Sequence, residues 1–318
     1  MRRRSLAVLA AVPLLFAAAC GSEGGTGSGA SATTSAGSAP ELKVTGAANA
    51  KPTVAFPAKV TEVSSYQVLT PGTVGTPAQA GASVVANLTV FTWDGKQNKL
   101  VGSTYDEGGP QLITLNEQIP EILRKGFAET KGGGRFLSVL GKDALPKEQQ
   151  AQAPAGQSQV FVVDVVDVPA AGKAAQGAAA DPEVKGIKIE NPGGDAAPKL
   201  TTKTDEKAPK GLVAKTVIKG TGPEVKSGQS ILVQYVGKIW GSDLEFDSSW
   251  ARGGEPIMFQ IGTGRVIKGW DQGLVGVPVG SRVLLSIPPD LGYGKDGSGD
   301  KIKGTDTLVF LVDVLKAY

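Results

Sequence analysis

Two stretches of this chain repeat one another at a nearly fixed distance. Trp93 in WDGKQNKL stands 147 residues before Trp240 in WGSDLEF, and Pro110 in GGPQLITL stands 146 before Pro256 in GEPIMFQI. Gly133 in KGGGRFLSVL precedes Gly280 in PVGSRVLLSI by 147, and Phe161 in VFVVDV precedes Phe310 in VFLVDV by 149. An offset held over that length signals internal duplication. Two copies of this size make a tandem of domains rather than a solenoid, in keeping with about two domains for 318 residues. The blocks dense in Val, Leu, Ile and aromatic residues are 42–168 and 208–318. Between them, residues 169–207 are rich in Ala, Gly, Pro and Lys and read as a linker, although Ile187 and Ile189 could pack on a neighbouring domain.

The N-terminus carries an export pattern. Arg2, Arg3 and Arg4 precede the apolar run Leu6–Ala19, which has the length of a signal peptide and falls short of the roughly 20 residues of a spanning helix. Ala17, Ala18 and Ala19 lead into Cys20, the one cysteine of the chain. The arrangement resembles a bacterial lipobox, with Ala17 where leucine is usual. It implies a signal peptide at 1–19, lipidation of Cys20, a flexible Gly/Ser/Thr tether over 20–41, and anchoring at the extracytoplasmic face of the cell membrane. The alternative is an ordinary secretory signal with an incidental cysteine. Without Arg2, Arg3 and Arg4 the formal charge of +3 falls to about zero, so no electrostatic attraction to nucleic acid is expected.

The chain contains no histidine. Ser-His-Asp and Cys-His nucleophilic sites and histidine-ligated metals are thereby excluded, and no metal or cofactor is expected. Five aromatic residues, Tyr235, Phe246, Trp270, Tyr293 and Phe310, instead punctuate the second copy, with one acid, Asp247, beside the second of them. Ile231, Val233, Tyr235 and Ile239 alternate with more polar neighbours, as a strand with one buried face does, and so do Val283, Leu285 and Ile287 and Leu308, Phe310, Val312 and Val314. Ile267, Trp270 and Leu274 fall at helical spacing and predict one short helix, which Gly273 would end or kink early. An α+β domain follows: a bent antiparallel sheet with one short helix across its concave side.

VQYVG, FDSSWARG, VIKGWDQGL, PPDLGYG and TLVFLVDV, spread over nearly all of residues 211–315, together resemble an FKBP-type peptidyl-prolyl cis–trans isomerase. The resemblance implies two FKBP-like domains, each a bent antiparallel sheet half-wrapped around one short helix, and a proline pocket between sheet and helix. It assigns the catalytic positions to Tyr235, Phe246, Asp247, Trp270, Tyr293 and Phe310, with Trp270 as pocket floor. Arg252, Ile257, Phe259, Val266, Ile267 and Ile302 become substrate-binding positions. Phe259 and Trp240 also suit an ordinary core at strand spacing, while Lys268 and Asp271 suit the solvated face of the helix. Ile257 stands where the family often has an aromatic. The loop 294–305 carries Ser298 and the polar run Lys301 to Gly304 in place of an Ile-Pro-rich flap, and its four glycines predict a mobile edge. Implied partners are proline-containing polypeptides and, in the same pocket, macrolides.

Such a reaction suits a chain without histidine, because it moves no proton. In the first copy the pocket is lost: Leu88 answers Tyr235, Val101 answers Phe246, Gly102 answers Asp247 and Leu123 answers Trp270. Tyr293 falls near Pro146, and only Phe161, answering Phe310, keeps its aromatic ring. The expectation is therefore an exported, membrane-anchored isomerase that assists folding of exported proteins, with an inactive first domain. The alternative is a non-catalytic chaperone or ligand-binding module of the same fold.

Overall fold

The computed structural model describes residues 42–59, 63–145, 147–150, 156–169, 174–180, 183–191 and 195–318. The signal segment 1–19, Cys20 with its tether 20–41, and Pro146 lie outside the described residues. The chain divides into two compact units at Pro169/Ala170.

In the first unit the strands are β1 (Lys43–Thr45), β2 (Thr53–Ala55), β3 (Ser65–Thr70), β4 (Ser83–Trp93), β5 (Asn98–Ser103), β6 (Gln111–Thr114), β7 (Gly134–Leu140) and β8 (Ser158–Asp167). Its helices are α1 (Thr104–Glu107), α2 (Glu121–Glu129) and α3 (Lys147–Gln150). The main sheet runs β3-β7-β8-β4-β5, with β6 also paired to β4, and β1-β2 form a separate hairpin. The second unit holds β9 (Ala178–Ala179), β10 (Lys188–Glu190), β11 (Lys199–Thr201), β12 (Val213–Lys219), β13 (Ser230–Ile239), β14 (Glu245–Ser248) and β15 (Ile257–Gln260). The helix α4 (Lys268–Leu274) follows, then β16 (Arg282–Ile287) and β17 (Leu308–Ala317). Its sheet runs β14-β13-β17-β16-β12-β9, with β15 paired to β13, and β10-β11 form a separate hairpin. Every strand pair is antiparallel.

Each main sheet is apolar on both faces. On the inner face of the second unit, Ile231, Val233, Tyr235, Leu285, Phe310 and Val312 form one core with Trp270 and Leu274 of α4. On the outer face, Val217, Val236, Leu284, Val309 and Leu311 form another, and Leu200, Val184, Ile187 and Ile189 close over it. The helix approaches the sheet closely because it carries glycine where a Cβ cannot fit. A Cβ on Gly269 would lie 2.5 Å from the Ile287 side chain. The helix runs through Gly273 and stops one residue later, at Leu274.

The linker expected over 169–207 is corrected by this arrangement. Ala178 and Ala179 pair with β12, and the β10-β11 hairpin packs on the outer face. The physical reason is the apolar outer face, which needs a cover that three-residue strands and a few apolar side chains suffice to supply. The first unit is closed in the same way: Leu42, Val44, Val54 and Phe56 of the β1-β2 segment pack on Trp93, Leu137, Val139, Val160 and Val162.

A buried ion pair ties each cover to its sheet. Arg282 and Asp313 face each other across β16 and β17, with Nε–Oδ1 and Nη2–Oδ2 distances of 2.5 and 2.6 Å. Arg282 Nη1 also donates to Asn191 Oδ1 at 2.7 Å, and the Ala175 amide donates to Asp313 at 3.0 Å. In the first unit Arg135 and Asp164 pair alike, and the guanidinium reaches the carbonyls of Gly46 and Ala50 in the hairpin turn. Asp164 also accepts the Tyr105 hydroxyl, and burial and the adjacent carboxylate push that phenol well above its ordinary range.

Candidate functional site

The residues singled out in the second copy come together on the inner face of its sheet. Tyr235 lies on β13, Phe246 and Asp247 on β14, Ile257 and Phe259 on β15, Trp270 on α4 and Phe310 on β17. Val266 and Ile267 lead into α4, Tyr293 lies between two short 3-10 turns, and Ile302 is in the loop that follows. All but Asp247 belong to one apolar cluster: Tyr235, Trp270, Ile302 and Phe310 are buried, and Phe246, Ile257, Phe259, Val266, Ile267 and Tyr293 are partly exposed around them.

Trp270 is the centre of the aromatic set. Its ring meets Tyr235, Phe259 and Phe310 edge-to-face at centroid distances of 5.6, 5.1 and 5.3 Å. Phe246 meets Phe310 in the same manner at 5.3 Å. Edge-to-face pairs of this kind contribute about 0.5–1.5 kcal/mol each beyond area burial, so the rings hold one another in fixed orientations. Trp270 Nε1 is buried and has no partner among the described residues, a donor left over at the base of the cluster. Phe259, which also fitted an ordinary core, is half-buried against Trp270 and Tyr235. Trp240 lies on the outer face instead, where its indole N–H donates to the Glu206 carbonyl at 2.8 Å.

A polar triangle sits beside the rings. The Tyr235 hydroxyl donates to Asp247 Oδ2 at 2.5 Å, Arg252 is ion-paired with Asp247 Oδ1, and Arg252 Nη2 donates to the Tyr235 hydroxyl at 3.0 Å. The guanidinium also lies over the Tyr235 ring, 5.6 Å from its centroid. Asp247 therefore orients both donors. The Tyr293 hydroxyl makes no hydrogen bond among the described residues, and burial pushes this phenol above the ordinary range. The loop beyond it is internally bonded: Ser298 and Ile302 exchange backbone hydrogen bonds at 2.9 and 3.3 Å. Lys301 Nζ reaches the Glu245 and Phe246 carbonyls at 3.5 and 3.4 Å.

The strand registers of the first unit place other residues at the matching positions. Gly237 is paired with both Phe310 and Asp247; the corresponding Val90 is paired with Phe161 and Gly102. A Cβ on Gly237 would lie 2.7 Å from the Phe246 ring and 3.0 Å from that of Phe310. Where the first unit has valine, the larger ring is replaced by Val101, and Leu88, Val90, Leu123 and Phe161 are all buried. Gly237 escaped notice in the sequence, although an isolated glycine within a strand pattern is a signal of close approach.

The second unit is similar in sequence to known proteins. A family model described as FKBP-type peptidyl-prolyl cis-trans isomerase matches residues 222–315. The "FK506-binding protein" of Streptomyces anulatus is 45% identical over 108 residues, which is 34% of this chain and 86% of that protein. The chain belongs to the FKBP family. A "Probable FK506-binding protein" of Corynebacterium glutamicum is 42% identical over 110 residues, 35% of this chain and 90% of its own length. "FK506-binding protein 2" of Dictyostelium discoideum is 49% identical over 92 residues, 29% of this chain and 68% of that protein. This FKBP is thus an isomerase acting on the peptide bond before proline, and its family-matched segment contains the whole aromatic set.

One consequence concerns pH. With no histidine in the chain, and with the raised phenol of Tyr293 keeping its proton to higher pH than an ordinary tyrosine, no group proposed to touch substrate changes charge near neutrality. The expected kcat/KM is flat from about pH 6 to about pH 9 and declines only above the usual tyrosine range near 10. A bell centred near neutrality in a protease-coupled assay would contradict that assignment.

Proposed function

We propose that this FKBP is exported, anchored through Cys20 at the extracytoplasmic face of the membrane, and accelerates proline-limited folding of exported proteins. The second unit does the chemistry. Rotation about an X–Pro bond must break amide resonance, at a barrier of about 18–20 kcal/mol. The twisted amide has lost that resonance and its carbonyl is less polar than the planar one, so an apolar, water-excluding site favours it relative to the ground state. Trp270 forms the floor on which the proline ring rests, Phe246, Phe259, Phe310, Val266, Ile267 and Ile302 its walls, and Tyr293 donates to a substrate carbonyl. Asp247 and Arg252 fix the Tyr235 hydroxyl at the rim. The observation that carries this reading is the Tyr235–Asp247–Arg252 triangle set directly against the rings around Trp270. The names of the relatives support macrolide binding in the same pocket.

The first unit, in this reading, is a second FKBP-like domain without activity that spaces the enzyme from the membrane or holds its substrates. Apart from the edge strand β9, its main sheet has the strand order of the second unit, and buried aliphatic side chains fill the place of the pocket. That filled pocket is also what favours a holding role for the first unit over a second catalytic centre.

A coupled cis–trans assay on a proline peptide tests the division of labour. Residues 170–318 are expected to match the full chain, and residues 42–169 to be indistinguishable from the uncatalysed reaction, which takes tens to hundreds of seconds. Activity in the first unit would refute its assignment as inactive. For the anchor, mass spectrometry of the mature N-terminus is expected to find acylated Cys20, and Cys20→Ser to move the protein from the membrane to the soluble fraction. An unmodified N-terminus would refute the anchor without touching the isomerase assignment.

A further inference from the structure

Arg252 reaches the pocket rim from a turn that follows β14, and the turn ends in two residues of positive φ, Gly253 at 88° and Gly254 at 73°. Neighbouring residues on a strand point to opposite faces. Gln234 therefore stands on the outer face of β13, behind Tyr235, and neither it nor Ser249 has any exposed surface. Ser249 Oγ accepts the Tyr235 amide at 2.8 Å and donates to Gln234 Oε1 at 2.5 Å. The Ser249 amide donates to the Tyr235 carbonyl at 3.0 Å. At the other end of the same side chain, Gln234 Nε2 donates to the Gly254 carbonyl. A single buried amide thus bridges both ends of the turn that carries Arg252 between them.

We infer that Gln234 is a positioning residue for the isomerase reaction, acting through Arg252. The inference rests on the reading of Arg252 and Asp247 as the groups that fix the Tyr235 hydroxyl. The first unit separates the two ends of the clamp. There Asn87 and Thr104 replace Gln234 and Ser249: Thr104 Oγ1 accepts the Leu88 amide at 3.1 Å and donates to Asn87 Oδ1 at 2.9 Å. The residues that follow form α1 and bring Tyr105 to Asp164 instead of an arginine to a pocket rim. The inner half of the clamp therefore serves the fold in both units. The reach to the far end of the turn requires the additional methylene of glutamine, about 1.5 Å of length, which is more than a hydrogen bond can stretch to cover.

Gln234→Asn in the full chain isolates that outer half, because asparagine keeps the partner of Ser249, as in the first unit, and gives up Gly254. The expected result is a kcat lowered about three- to tenfold with KM little changed, since misplacement of a rim group is felt in the transition state. Thermal unfolding should shift by no more than a few degrees. Introduced into Arg252→Ala, the same change is expected to cost nothing further. Parental kcat in Gln234→Asn, or an equal loss in the Arg252→Ala background, would overturn the inference. Arg252→Ala alone reports on the premise: parental activity there would overturn the reading of the rim and the clamp with it. A loss in Arg252→Ala without one in Gln234→Asn would overturn the clamp alone.

Discussion

Gly237→Val is expected to lower isomerase activity by about a hundredfold or more while leaving a folded protein; a hundredfold corresponds to about 2.7 kcal/mol of lost transition-state stabilisation. The position is one where the strand ladder is complete and only the side chain is missing. A Cβ there would meet the Phe246 ring at 2.7 Å and the Phe310 ring at 3.0 Å, closer than atoms of a packed interior approach. Valine adds two further methyl groups, so both rings must leave the positions they hold against Trp270. The backbone accepts the change, because valine is a good strand residue and Val90 already occupies this register position in the first unit. Overpacking of this kind typically costs about 1–3 kcal/mol of stability. The assay is kcat/KM on a proline peptide, with circular dichroism to establish folding. A folded Gly237→Val protein of parental activity would show that the rings are not the reacting surface.

A chain shortened to residues 208–318 is expected to melt at least roughly 10 °C below residues 170–318, or to show no cooperative transition. The shorter piece contains the entire family-matched segment, yet it lacks β9 and the β10-β11 hairpin. Without them Val217, Val236, Leu284, Val309 and Leu311 face water. Full burial of one such side chain is worth about 1.5–3 kcal/mol, against a net stability of about 5–15 kcal/mol for a whole domain. The cover's own ordering entropy offsets part of that loss. The Arg282–Asp313 pair would also lose Asn191 and the Ala175 amide and become open to solvent on one side. For a domain of this size about 1 kcal/mol moves Tm by roughly 2–4 °C, so a net loss of only a few kcal/mol reaches the expected shift. Equal melting temperatures by calorimetry would refute the covering role of the hairpin.

The site was largely legible in the sequence because its residue types are unusual for a core. Tyr235, Asp247, Trp270 and Tyr293 stand in motifs whose combination is specific; the structure packs Tyr235, Trp270 and Tyr293 into one core and hydrogen-bonds Asp247 to Tyr235. What escaped was supporting chemistry. Gln234 in VQYVG reads as the polar half of an alternating strand, although it is fully buried. The outer face escaped for a related reason. The run LVFLVDV on β17 was read for its alternating half, Leu308, Phe310, Val312 and Val314, yet the intervening Val309 and Leu311 are equally buried. An unbroken apolar run marks a strand covered on both sides. That run required a second cover, which a segment of three-residue strands was too short to announce. The likeness between the two halves also reaches further than Trp93 and Trp240, since each unit carries, ahead of its first long strand, a hairpin tied down by a buried arginine.

Those hairpins bear on how the enzyme itself reaches its native state. Asn191 emerges early in synthesis of the second unit, whereas Arg282 and Asp313, which hold it, arrive at the end. The same order applies in the first unit, where Arg135 and Asp164 secure the turn that contains Gly46 and Ala50. Contacts between such distant stretches of chain slow folding, because a long loop must close before any of them forms. Each unit is therefore sealed only when its last strand is delivered, and an isomerase that shortens the wait of other chains is built to fold late itself.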